Sequence, residues 1–404
     1  MLVLTASNPV PGEPEDRARA YTRLIEFDYV NWSIEAAYLK LQSSAIGLPG
    51  YLDFENSKQV VLQYLFVTER ILQAEDQLNS LYADPSIIDN NAASKHLRAE
   101  MERLYLRQKQ LAPFAEAALQ GQVSTVLSEL DLTSGGQPLP PVLYHSSAVP
   151  MGLIVSSRER IEQLTNISVE PNLSVDQQVA LEAKVDAELN VSSLVVPIGG
   201  VGVYPTMIMR ATNLSWLLNT VSHEWTHNFL SLRPLGFLYD ITSELRTMNE
   251  TAASIVGDEI GNLVLQRYYP EHADASPPDP QIASTQLISF SLKEEPPEFD
   301  YRAEMHTTRV RADELLAEGK IEQAEAYMEA RREIFWDNGY SIRKLNQAYF
   351  AFYGAYADLP GGAAGQDPVG PAVRELRAQS NSLADFIKQI SWMTNFEQLQ
   401  AALQ

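Results

Sequence analysis

The sequence predicts a mainly α-helical protein with a small mixed β-sheet, an α+β arrangement, and three observations carry that prediction. From about Glu15 to Leu130, charged residues alternate with Leu, Ile and Tyr at helical spacing, with few breakers. From Val142 to Met209 the chain turns to β-branched and apolar runs cut by Pro and Gly. From Leu214 onward the helical period returns.

Taken in order, Arg17 to Ser43, Glu55 to Tyr82 and Ala92 to Gln120 read as long amphipathic helices suited to a bundle, with aromatic residues such as Tyr29 and Trp32 in its core. Ser134-Gly135-Gly136 and Pro138-Leu139-Pro140-Pro141 mark a boundary. They divide the chain into an N-terminal helical domain over 1–135 and a second domain over 136–404. Beyond the boundary, Val142 to His145, Leu153 to Ser156 and Ser193 to Met209 read as strands, with helices at Arg158 to Leu164 and Val175 to Leu189. Gly199 to Pro205 is glycine-rich, but no lysine holds the phosphate-binding position and Pro205 stands where the helix would start, so a nucleotide loop is rejected. A strand edge or bulge fits better, since glycine permits close backbone approach. Tyr269 to Asp300 is Pro-rich and aperiodic, a long surface loop. Thr307 to Ala317 and Ile321 to Trp336 form a helical hairpin hinged at Glu318-Gly319-Lys320. Ser341 to Tyr356 follows as a helix, then a loop from Pro360 to Pro371 and helices to Gln404.

Composition narrows the function classes. A chain of 404 residues can bury a large core. With no cysteine, disulfides, thiolate metal sites and cysteine nucleophiles are excluded. The net charge of −22 and the lack of a basic stripe argue against nucleic acid; an acidic surface keeps the protein soluble and suits cationic peptides. No run reaches the length of an integral membrane span. Met1 to Val10 is apolar but has no basic start, so it does not qualify as a signal peptide. With the linker-like stretch Pro9 to Asp16 behind it, it reads as the stub of a removed leader or N-terminal anchor, which favours an extracytoplasmic or membrane-tethered bacterial protein. Oligomeric state is not legible.

The chemistry concentrates at His223-Glu224-Trp225-Thr226-His227. Imidazoles four residues apart on a helix project from one face, where both can bind one metal ion. Leu214, Leu217, Leu218, Val221 and Trp225 form an apolar stripe facing nearly the opposite way, so one face of this helix packs and the other meets a cleft. Glu224 is placed to take a proton from water at the metal. Glu250, in Asn249-Glu250-Thr251-Ala252-Ala253 on a following helix capped at Ser243, supplies a third ligand and leaves one position open, the mark of a catalytic site. It shares a face with Ala253, Ser254, Gly257 and Gly261, whose small side chains permit two helices to come close. Glu244, Asp258 and Glu259 lie on other faces or at the wrong distance along the helix.

Over Leu214 to Gly261 the chain resembles the gluzincin zinc metallopeptidases, and the remainder is similar to uncharacterised bacterial proteins described as predicted aminopeptidases. The resemblance implies a zincin-like catalytic domain behind the helical one. It also implies Zn2+ as cofactor, His223, His227 and Glu250 as ligands, Glu224 as general base and a peptide or protein as substrate. Gluzincins often carry an aspartate one turn after the glutamate; here that position is Ser254, with Asp258 a turn later. They also take a neutral donor from a later segment. Tyr349 is the first choice, from an inward helical face, with Tyr340, Tyr353 and His306 as others. Glu244, Asp240 and Arg210 are near enough in sequence to hold a substrate terminus, so endo- and exopeptidase action both stay open. The same ligands would serve a hydrolase of non-peptide amides or esters. A protein of this fold without activity, acting as a binding or scaffold module, is the alternative outside enzymes.

Overall fold

The computed structural model describes residues 14–45, 53–83, 89–273, 299–340, 342–354 and 367–404. Met1 to Glu13 and most of the two expected long loops, after Tyr269 and after Pro360, fall outside that description. Within it, the first expected helix is two: α1 (Pro14–Thr22) and α2 (Tyr29–Ala45). The break has a backbone cause. Phe27 N–H donates to the Ser168 carbonyl (3.0 Å) and Glu170 N–H to the Ile25 carbonyl (2.8 Å), so this segment pairs with a sheet edge instead of continuing the helix. α3 (Phe54–Ala83) and α4 (Asn90–Glu129) pack as an antiparallel hairpin, linked in reversed order by Gln63 to Arg107 and Arg70 to Glu100.

The expected small sheet is two three-stranded sheets. β2 (Met151–Ser156), β3 (Gln163–Val169) and β4 (Ser192–Pro197) form an antiparallel sheet in the order β3-β2-β4. β1 (Tyr144–Ser147), β5 (Gly200–Val201) and β6 (Thr206–Met209) form a mixed one in the order β1-β6-β5, with β1 parallel and β5 antiparallel to β6. The helix expected over Arg158 to Leu164 is absent. Glu162 N–H donates to Ser156 Oγ (3.2 Å), closing a reversal, and Thr165, Ile167 and Val169 then alternate inward as a strand. α5 (Val175–Leu189) matches expectation and begins with a capping box at Ser174.

Next come α6 (Leu214–Leu230), the short α7 (Pro234–Phe237) and α8 (Ser243–Tyr268). Thr242, not Ser243, caps α8: its side chain accepts from Leu245 N–H. The hairpin of α9 (Tyr301–Ala317) and α10 (Ile321–Asp337) turns at Gly319, whose φ is +71°. α11 (Gln347–Tyr353) is shorter than the expected helix because Asn346 is extended and caps it, accepting from Tyr349 N–H (3.0 Å). α12 (Val369–Gln379) starts inside the stretch expected as loop and carries Pro371 in its first turn, where proline is tolerated; α13 (Leu383–Ile390) and α14 (Phe396–Ala402) end the chain. Among the described residues no helix is long and apolar enough to cross a membrane.

The largest core runs through α3, α4, α6, α8 and α12 to α14, including Val61, Leu119, Leu218, Val221, Val256, Ile260, Val373 and Phe386. Segments on both sides of the turn at Ser134 to Gln137 thus share it. The β3-β2-β4 sheet is covered on both faces. Leu153, Val155 and Ile167 meet α1 and α5; Ile154, Leu194 and Val196 meet α9, α10 and α11.

The stripe Leu214, Leu217, Leu218, Val221 and Trp225 is buried, as its spacing requires. The neighbouring face of α6 lies directly against α8. A Cβ at Gly257 would fall 2.9 Å from the Asn219 carbonyl oxygen and 3.0 Å from His223 Cβ, and one at Gly261 would overlap the Asn219 side chain. These glycines set how near the two backbones come. Gly257→Ala should therefore destabilise the protein by about 1–3 kcal/mol through overpacking against backbone that cannot give. Chemical denaturation measures it; an unchanged midpoint would mean that the contact has slack.

Candidate metal centre

The α6–α8 contact brings three expected ligands together. His223 Nε2 and His227 Nε2 are 3.0 Å apart, and Glu250 Oε2 lies 3.5 and 3.4 Å from them respectively. Donors on a tetrahedral shell about 2.0–2.1 Å from a metal stand about 3.3 Å apart, so this separation suits one ion. Glu250 Oε2 is also buried without a hydrogen-bond partner. An unsatisfied carboxylate oxygen between two imidazole nitrogens is costly unless positive charge completes it, either a metal ion or a proton on an imidazole. The three residues form a group that could hold a metal ion, and the donor chemistry fits.

Neighbouring side chains orient the ligands. Asn249 donates from Nδ2 to the Leu235 carbonyl (3.1 Å), which directs its Oδ1 at His227 Nδ1 (2.8 Å). His227 must then carry its proton on Nδ1 and present the Nε2 lone pair to the centre. The Tyr239 hydroxyl donates to Glu250 Oε1, the oxygen turned away from the histidines. Asp258, a turn after Ser254, accepts from Asn219 Nδ2 at 2.7 Å and interacts electrostatically with His223. Of the other competing carboxylates, Glu259 pairs with Arg377 (2.7 Å) and Glu244 is exposed.

Glu224 is buried beside the centre. Desolvation raises its carboxyl pKa, opposed by the two histidines and assisted by Glu250. It faces the strand edge that the glycine-rich stretch suggested. β5 is the outer strand of its sheet, and a Cβ on Gly200 would sit 2.6 Å from Glu224 Oε1. Only glycine leaves room for that carboxylate.

A cavity of about 560 Å³ opens beside Glu250, lined among others by Thr165, Asn166, Tyr239, Asp240 and Arg246. Tyr349 is not among the residues that line it. It stands on α11 in the core, its hydroxyl 3.0 Å from that of Tyr301, with the Tyr353 ring tilted against it and Tyr340 against Tyr301. His306 stands on α9 with its Nδ1 buried. Arg210 pairs with Glu75 at 3.4 Å. Sequence reasoning does not single out two neighbours of the centre, Asn249 and Tyr239. Asn249 precedes the ligand in sequence, and that adjacency was its only signal. Tyr239 lies in the connection between the ligand helices, which has to pass the metal face. The chain matches no family model, no curated protein and no solved structure.

In the metal-free arrangement, burial pushes the His227 pKa down, but the Glu250 and Glu224 carboxylates and Asn249 outweigh it and carry it up to about 9. The unfolded value is about 6.5. The stability this supplies to the metal-free fold is fully present below about 6.5 and lost as pH rises through about 9. Metal needs the neutral imidazole, so uptake near neutral pH should release about one proton. Calorimetric titration with zinc in buffers of different ionisation enthalpy counts it; a count of zero would mean that His227 is already neutral.

Proposed function

We propose that this chain is a zinc-dependent metallopeptidase of gluzincin type, with a zincin-like region built on α6 and α8. One observation carries the reading: donor atoms of the half-buried His223 and His227 and the buried Glu250 converge beside the buried carboxylate of Glu224. Two imidazoles and a carboxylate with a position left open favour zinc in a hydrolytic site. Zinc, when bound, polarises the scissile carbonyl and makes water acidic enough to be deprotonated near neutral pH.

The chain's own residues supply the rest. Glu224, with its basicity raised by burial, accepts the proton of the attacking water and returns it to the leaving amine. Tyr239 displaces Tyr349 as the neutral donor for the developing oxyanion, because its side chain lines the cavity and its hydroxyl, at Glu250, can swing its single proton from Oε1 to the oxyanion. The free edge of β5, held against Glu224 by Gly200, offers main-chain groups to an extended substrate. An extended polypeptide suits such an edge better than a compact amide or ester.

Glu224→Gln should retain one zinc per chain and lower kcat on peptides by about 10²–10⁴-fold. Metal analysis paired with a quenched-peptide assay tests both halves, and wild-type turnover in that variant would remove Glu224 as the base. Zinc without turnover in the unaltered protein would favour the binding-module reading. Tyr239→Phe should also keep the metal, with kcat reduced by about 10²-fold and KM little changed. An equal loss in both parameters would assign Tyr239 to substrate binding instead.

A further inference from the structure

Arg246 is a buried cation with no carboxylate of the described residues within ion-pair distance, although Asp240 feels its charge across the cavity. Arg246 is 8% exposed and stands on α8 one turn before Glu250. It lines the same cavity as Glu250 and Tyr239. Nη2 donates to the Ala351 carbonyl at 3.2 Å, while Nε is buried with no acceptor. Among the described residues no carboxylate forms an ion pair with it. Nearby arginines behave otherwise: Arg160 holds Glu162, Arg309 holds Asp313 at 2.7 Å and Arg19 reaches Glu15 at 3.5 Å. A buried guanidinium with an empty donor is costly, and an arriving carboxylate would answer it in the forked geometry arginine favours.

We infer that Arg246 receives the C-terminal carboxylate of a peptide substrate, which makes the enzyme a carboxy-terminal exopeptidase. The inference rests on the peptidase reading and settles what Arg210, Asp240 and Glu244 left open. Arg210 is committed to Glu75, and Glu244, exposed, lines only the adjoining cavity, which Arg246 shares but Glu250 and Tyr239 do not. Four residues of helix advance about 6 Å. An extended peptide advances about 3.3 Å per residue, so the carboxylate lies one or two residues beyond the bond cut. Of the cavity's carboxylates, Glu162 and Glu15 are paired with arginines and Glu250 faces the histidines. Asp240 is the rival: it would suit a substrate's N-terminal ammonium instead.

The test is binding to the Glu224→Gln protein, zinc-loaded and chelator-treated, followed by calorimetry. The probes are N-acetyl-alanyl-alanine, its C-terminal amide, and alanyl-alanine amide with a free amine. The acid should bind at least about 30-fold more tightly than its amide, in both metal states, so that zinc is not what reads the carboxylate. Arg246→Ala added to Glu224→Gln should abolish the ratio, and Arg246→Lys should restore part of it. Equal binding of acid and amide, or binding of neither, overturns the inference even where every arginine variant fails to fold. Tightest binding of the free amine hands the site to Asp240. Failure of the peptidase reading shows separately: the unaltered zinc protein then hydrolyses neither free-acid nor amidated peptides, whatever the calorimetry gives.

Discussion

Two helices pressed together until their backbones touch hold this structure's chemistry in place. Gly257 and Gly261 admit the Asn219 and His223 turns of α6, and only at that distance does Glu250 reach two imidazoles on the neighbouring helix. The burial that makes the contact firm also strips water from the donors. What results is a point with a sign: nitrogen donors and negative charge face it, and Glu250 Oε2 reaches it without a hydrogen bond of its own. Packing and electrostatics are one constraint here, because any loosening that relieved the helices would also rehydrate the donors.

Around that point, neutral and charged partners divide the work. Asn249 and Tyr239 fix the tautomer of one ligand and one oxygen of another without adding charge. Glu224 keeps its carboxylate under the Gly200 strand, where desolvation strengthens it as a base. Arg246 extends the pattern a turn away along α8, with positive charge where the triad is negative. A site with both signs held apart on one helix suits a substrate that is itself polar along its length.

The sequence disclosed most of this where local periodicity decides the outcome. The 3.6-residue period placed the α6 stripe and turned both histidines away from it, and the small-residue face of α8 announced its close neighbour. It disclosed little where distant backbone decides. The break between α1 and α2 exists because residues 25–27 pair with β3, some 140 positions later, and no local signal at Arg23 to Asp28 reports that. Arg158 to Leu164 looked helical for the same reason: what makes Gln163 to Val169 a strand is its partner β2. Tyr239 sits in an aperiodic connection, so periodicity could not single it out, and Tyr349 drew the choice because its helical face is clear, although that face belongs to another core.

Because Arg246, Asn249, Glu250 and Gly257 all ride on the single rod α8, their relative bearings are set by helix phase alone. Each residue turns the rod by about 100°. Inserting or deleting even one amino acid between Arg246 and Gly257 would swing part of this set out of alignment with α6, however conservative the change in chemistry. Lineages of this protein can therefore vary side chains along α8, but indels have to fall in the connections on either side of it.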